Sequence, residues 1–94
     1  MEEKNINQYF ASLILSLAAS AWQQLGKVPD PITGKIEKNL ENVKTTIDIL
    51  DMLKQKTQNN LTLEEKKLLE NAIADLQLNY VDELNKKNKS ETLH

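Results

Sequence analysis

The chain has no cysteine and no arginine, and only two glycines and two prolines among its 94 residues. Without cysteine there is no disulfide framework, no thiolate nucleophile and no cysteine-based zinc site. Arginine is the side chain that grips guanine and phosphate bidentately, and it is missing. With a net charge of −2 and a pI near 5.4, the totals show no basic footprint for nucleic acid. The lysines that cluster, Lys86, Lys87 and Lys89, sit beside Glu91 and serve solubility. All the glycines and prolines fall between positions 26 and 34. The remainder is therefore free to run in long unbroken helices. The single histidine, His94, cannot by itself complete a metal site. Nor does it give Ser12, Ser16 and Ser20 an ordered base to activate them.

What is present suits one small domain: 39% hydrophobic and 28% charged residues, with no internal repeat. Residues 1–5 are a polar start, 6–85 a single helical domain, and 86–94 a tail without apolar period that is expected to be disordered. No charged residue occurs from Ile6 to Gly26. Tyr9 to Ala21 resembles the core of an export signal, with Ala19-Ser20-Ala21 as its small-residue site. Glu2 and Glu3 cancel Lys4 and the terminal amine, however, and so remove the positive start that a signal needs. The run is about the ~20 residues a bilayer requires. Its glutamines and serines dilute it, and no lysine cluster flanks it.

At 100° per residue, Ile6, Phe10, Leu13, Ile14, Leu17 and Ala21 share one face of this first helix. Ala11, Leu15, Ala18 and Trp22 form a second face beside it, so the apolar arc spans roughly 200°, about twice the stripe of an ordinary surface helix. Gly26, followed by Pro29 and Pro31, ends the helix. Asp30-Pro31 predicts a type I turn closed near Gly34. A second helix is expected from Asn39 to Thr57 on the row Leu40, Val43, Ile47 and Leu50, and Asn59-Asn60 breaks it. Thr62-Leu63-Glu64-Glu65 is a capping box that opens a third helix, whose apolar row is Leu69, Ala72, Ile73, Leu76, Tyr80 and Leu84.

These residues, in this order, resemble a bacterial family known as domain of unknown function 1844. The resemblance covers roughly Phe10 to Val81. It rests on Leu15-Ser16-Leu17 with Ser20-Ala21, on Leu25-Gly26 and on Pro29-Asp30-Pro31 with Thr33-Gly34. It continues through Thr46-Ile47-Asp48-Ile49-Leu50, Met52-Leu53, Lys56-Thr57, Asn60-Leu61-Thr62, Glu64-Glu65 and Tyr80-Val81. Trp22 and Leu63 depart from the family pattern, which favours a smaller aliphatic residue and a proline there. The resemblance implies a short helical bacterial protein and offers no catalytic residues to carry over.

The chemistry-bearing residues point the same way. Asp48 and Asp51 lie one turn apart on the second helix, but share their face with Lys44 and Gln55, which marks a solvated, paired surface. No catalytic, cofactor-binding or metal-ligating set emerges. Pro29, Asp30, Pro31 and Thr33 are the candidate binding loop, because two prolines stiffen it. One carboxylate without a donor cluster suits a stiff corner better than a ligand site. The expected fold is all-α. Helices two and three form an antiparallel hairpin, and a long hydrophobic helix one packs across it. The expected role is a non-enzymatic, self-associating structural or adaptor protein of the cytoplasm, a homodimer or higher oligomer without cofactor or nucleic acid. Ala11, Leu15, Ala18 and Trp22 are its expected interface. The alternative is a membrane-associated subunit that uses helix 6–25 as a bilayer or partner-docking segment.

Overall fold

A computed structural model describes residues 5–92, and the side chains of residues 5–88. Apart from Asn5, the polar start lies outside the described residues, as does His94. Three helices follow in order: α1 Gln8–Gln24, α2 Leu40–Lys56 and α3 Leu63–Thr92. Their boundaries have local causes. Asn7 caps α1, its Oδ1 accepting the backbone N–H groups of Tyr9 and Phe10 at 2.9 and 3.0 Å. At the other end Gly26 takes φ +81°, while its N–H donates to the Gln23 carbonyl and that of Lys27 to Trp22. That is a Schellman stop, and only glycine enters it without a Cβ penalty. Asn39 caps α2 through the Asn42 N–H, and Asn59 at φ +68° sits in the left-handed turn beyond it. The capping box of α3 is complete. Thr62 Oγ1 accepts the Glu65 N–H at 3.2 Å, and Glu65 Oε1 accepts the Thr62 N–H at 2.9 Å.

Cross-links between elements fix the directions. Lys54, late in α2, pairs with Glu70, early in α3, whereas Lys38, just before α2, reaches Glu83. Helices α2 and α3 are thus an antiparallel hairpin. The Asn7 N–H meets Glu65 and Lys27 meets Glu83, so α1 runs parallel to α3 and antiparallel to α2. The core takes Ile14, Ala21 and Leu25 from the α1 segment, Val43, Ile47 and Leu50 from α2, and Leu69, Ile73 and Leu76 from α3. Each large side chain buried there contributes roughly 1.5–3 kcal/mol.

Two features differ from the sequence expectation. The long helix is α3, with 30 residues, whereas α1 has 17, the same as α2. Residues 86–92, where the apolar period is lost, continue α3 as helix. Neither glycine nor proline interrupts them, and Lys86 links back to Asp82 and Glu83 at 3.5 and 3.3 Å. Among the described residues, no helix is long and apolar enough to cross a membrane.

Candidate functional site

The four residues expected to form an uncovered band on α1 do not share one environment. Leu15 is 57% exposed, but Ala18 and Trp22 pack against the core and Ala11 is half-buried. The reason is position: α1 lies against both α2 and α3, so its apolar arc is covered on two flanks. The core line runs through Ile14, Ala21 and Leu25, which leaves Leu13, expected inside, 45% exposed. Tyr9, one turn earlier, is 88% exposed. Trp22 is already partly buried against the core in the single chain.

The loop of Pro29, Asp30, Pro31 and Thr33 uses its polar atoms on itself. Asp30 Oδ1 accepts the N–H groups of Ile32 and Thr33 at 2.7 and 3.2 Å. The Asp30 carbonyl accepts the Gly34 N–H at 2.7 Å, and the Asp30 N–H donates to Lys35 at 2.8 Å. Closure is thus by an i→i+4 bond, one residue wider than a type I turn, with Gly34 at φ +72°. Thr33 Oγ1 is engaged as well, accepting the Lys35 N–H. At the loop's base the Asn39 N–H donates to the Gln24 carbonyl at 2.7 Å, drawing its two ends together.

Two carboxylates on α3, Glu65 and Glu83, are buried and tied to other elements. Glu65 is buried, and its Oε2 accepts the Asn7 backbone N–H at 2.7 Å while Oε1 serves the cap. The Asn7 amide, then that of Thr62, holds its pKa below the ordinary carboxylate value, against the opposing effect of burial. Thr62 Oγ1 donates to the Asn5 carbonyl at 2.9 Å, so the starts of α1 and α3 are tied twice. Glu83 is also buried, and it gathers Lys38 at 2.7 Å, Lys27 at 3.0 Å and Lys86 at 3.3 Å. Hydrogen bonds from Lys38 and Lys27 push its pKa down to about 2, and Glu83 in turn raises that of Lys86. The capping role of Glu65 is legible in the sequence. The bond to Asn7 and the whole Glu83 cluster are not. Their one sequence signal is a carboxylate at each end of the apolar row on α3.

Two clefts accompany these features. The larger, about 510 Å³, lies at the α2–α3 turn over Leu61 and Leu69. Its lysines Lys54 and Lys66 share it with Asp51 and Glu70, so it concentrates neither charge. Lys54 already pairs with Glu70 at 3.6 Å, and the Thr57 hydroxyl donates to the Leu53 carbonyl at 2.7 Å. A smaller cleft of about 160 Å³ is lined by Gln23, Gln24, Asn39 and Asn42 together with the charged Asp30, Lys35 and Glu37. There Gln24 Oε1 is buried without a hydrogen-bond partner, a place suited to a water molecule. Asp48 and Asp51 are engaged by Lys44 at 3.1 Å and by Gln55 at 3.2 Å. Among the described residues, no group of three or more histidine, cysteine or carboxylate side chains is placed to hold a metal ion.

No curated protein and no solved structure matches the chain. A family model, Domain of unknown function (DUF1844), matches residues 7–82. That span begins at the cap of α1 and ends beside Glu83, taking in every residue of the hydrophobic core. The chain belongs to the DUF1844 family.

Proposed function

We propose that the protein is a non-enzymatic, self-associating helical adaptor of the bacterial cytoplasm, acting through the outward face of α1. The observation that carries this reading is the chemistry of that face. From Ile6 to Gly26 it bears no charge at all, and Tyr9, Leu13 and Leu15 stand exposed on it. Scattered surface apolar residues are ordinary, but a whole helix without one charge to keep it in water is not. The non-enzymatic part of the reading draws support from side chains that already satisfy one another, at the Asp30 loop and in the α2–α3 cleft. Static light scattering across micromolar concentrations tests it. The expected mass is at least twice that of the chain, falling on dilution. A monomer mass throughout would refute self-association.

A further inference from the structure

The loop between α1 and α2, residues 26–38, has its two ends joined. The Asn39 N–H bonds the Gln24 carbonyl, and Leu25 pairs with Lys38 in an antiparallel bridge. A surface loop of this length with closed ends is an Ω-loop, a form frequently used for function. At its tip Ile32 is 92% exposed, the most of any large hydrophobic side chain among the described residues. Val28 and Ile36 are exposed on its two arms. The backbone around Ile32 has no amide hydrogen to spare. Pro29 and Pro31 carry none, and the Asp30 N–H donates to the Lys35 carbonyl at 2.8 Å. Those of Ile32 and Thr33 go to Asp30 Oδ1, that of Gly34 to the Asp30 carbonyl, and that of Lys35 to Thr33 Oγ1. Every N–H from residue 29 to residue 35 is therefore absent or already bonded. Water makes no such demand on an exposed loop, whereas a medium without acceptors does. An N–H carried unbonded into hydrocarbon costs more than one aliphatic side chain returns.

The charged groups at this end of the bundle lie away from the tip. Lys27, Lys38 and Lys86 gather on Glu83, with Asp82 beside Lys86. Asp30, Lys35 and Glu37 line the small cleft at the loop's base. With Lys87, one turn past Glu83, these lysines outnumber the carboxylates by one, in a chain whose net charge is −2. An anionic surface therefore attracts this end of the molecule and repels the remainder. We propose that the Ω-loop is a peripheral membrane contact, with Pro31 and Ile32 entering the headgroup–acyl boundary of an anionic bilayer while the lysines stay among the headgroups. A protein socket fits the loop less well. Protein hot spots favour tryptophan, tyrosine and arginine and add hydrogen bonds, but residues 26–38 contain none of the three and the tip's donors are spent. Two prolines and the Asp30 bonds hold the tip in shape, so insertion orders little chain. The contact uses a different surface from the outward face of α1 and does not depend on self-association.

Co-sedimentation with vesicles of phosphatidylcholine containing anionic phosphatidylglycerol, at millimolar lipid, tests the contact. The wild-type chain is expected to bind reversibly, and Ile32→Ser to weaken binding about tenfold. Asp30 separates the amide argument from simple charge. Asp30→Asn keeps the acceptor and removes a negative charge, so binding should hold or rise. Asp30→Ala removes the same charge but frees the N–H groups of Ile32 and Thr33, so binding should fall about tenfold. Absence of wild-type binding would overturn the proposal. So would equal binding by Asp30→Ala and Asp30→Asn. Binding that requires the anionic lipid but is indifferent to Ile32→Ser would be adsorption through lysines, and would overturn insertion. Should an Asp30 variant fail to fold by circular dichroism, a label at the tip decides. The chain contains no other thiol, so Ile32→Cys takes a single polarity-sensitive dye. Its emission is expected to shift to the blue with vesicles, while the same dye on Asp75→Cys, exposed on α3, does not shift. No shift at the tip, or an equal shift at both positions, refutes the contact.

Discussion

The two ends of the bundle are closed by the same residue type bonded in two different ways. Glu65 and Glu83 lie about five turns apart on α3, roughly 27 Å, which matches the length of α1. Glu65 takes backbone N–H groups, from Asn7 and Thr62. Glu83 takes lysine ammonium groups, from Lys27, Lys38 and Lys86. A backbone amide cannot move without moving the chain, so the Glu65 end sets the register of α1 against α3. Lysine arms are flexible, and the side chains of Lys27 and Lys38 remain 32% and 52% exposed. That end can hold the loop between α1 and α2 while the loop shifts. Salt screens the ammonium contacts far more than the amide contacts.

The largest expected effect comes from breaking the rigid end. Glu65→Ala removes the acceptor from two amides at once and uncouples the start of α1, so thermal unfolding should fall by several degrees at low and high salt alike. If it fell no further than in Glu83→Ala, the register of α1 would have to be set by core packing alone. Glu83→Ala should cost on the order of 1–2 kcal/mol, below the 3–5 kcal/mol of a fully buried pair because its lysines can return to water. Unlike the first loss, this one should shrink as salt is added. Acid sharpens the comparison. The Glu83 carboxyl is held at about 2 against an ordinary 4.5, so its contribution is fully present above the unfolded value and is lost as pH falls from about 4.5 toward 2. Acid unfolding followed by circular dichroism should become less steep over that window in Glu83→Gln. An unchanged profile would mean that other carboxylates control it.

Local signals explain what the sequence makes legible. The caps at Thr62 and Glu65, the stop at Gly26, and the break at Asn59 each depend on residues within four positions, and each is in place. The core rows of α2 and α3 follow from period alone. The rest depends on which helix lies on which flank. The period of α1 allows a core line through either of its apolar faces, and only packing between α2 and α3 selects the one through Ile14 and Ala21. That choice turns Leu13 outward and Trp22 partly inward. The lysines of the Glu83 cluster are far from it in sequence, up to 56 residues for Lys27, and no local spacing announces them.

Within the rigid end, Thr62→Ala tests the cap apart from the clasp. It removes the acceptor for the Glu65 N–H and the donor to Asn5, and should cost ~1 kcal/mol in urea unfolding. A loss as large as that in Glu65→Ala would mean that the hydroxyl, not the carboxylate, couples α1 to α3.

The smallest effect is expected where the chemistry of the flexible end recurs in water. Lys44 and Asp48 pair at 3.1 Å, about as close as Lys27 and Glu83, yet their side chains are 61% and 64% exposed. Gln55 donates to Asp51 one turn on. Solvent already satisfies both carboxylates, and ordering two long side chains offsets much of the Coulomb gain. Replacing Asp48 and Asp51 together with asparagine should therefore change stability by no more than roughly 1 kcal/mol, the scale of exposed pairs. The measurement is urea unfolding beside Glu83→Ala at equal salt. A loss as large as that of Glu83 would show that burial is not what gives the α3 carboxylate its weight. Calorimetry on the same double variant probes the face as a metal site. Calcium or manganese binding that disappeared with the two aspartates would make the face a ligand site rather than a solvated one.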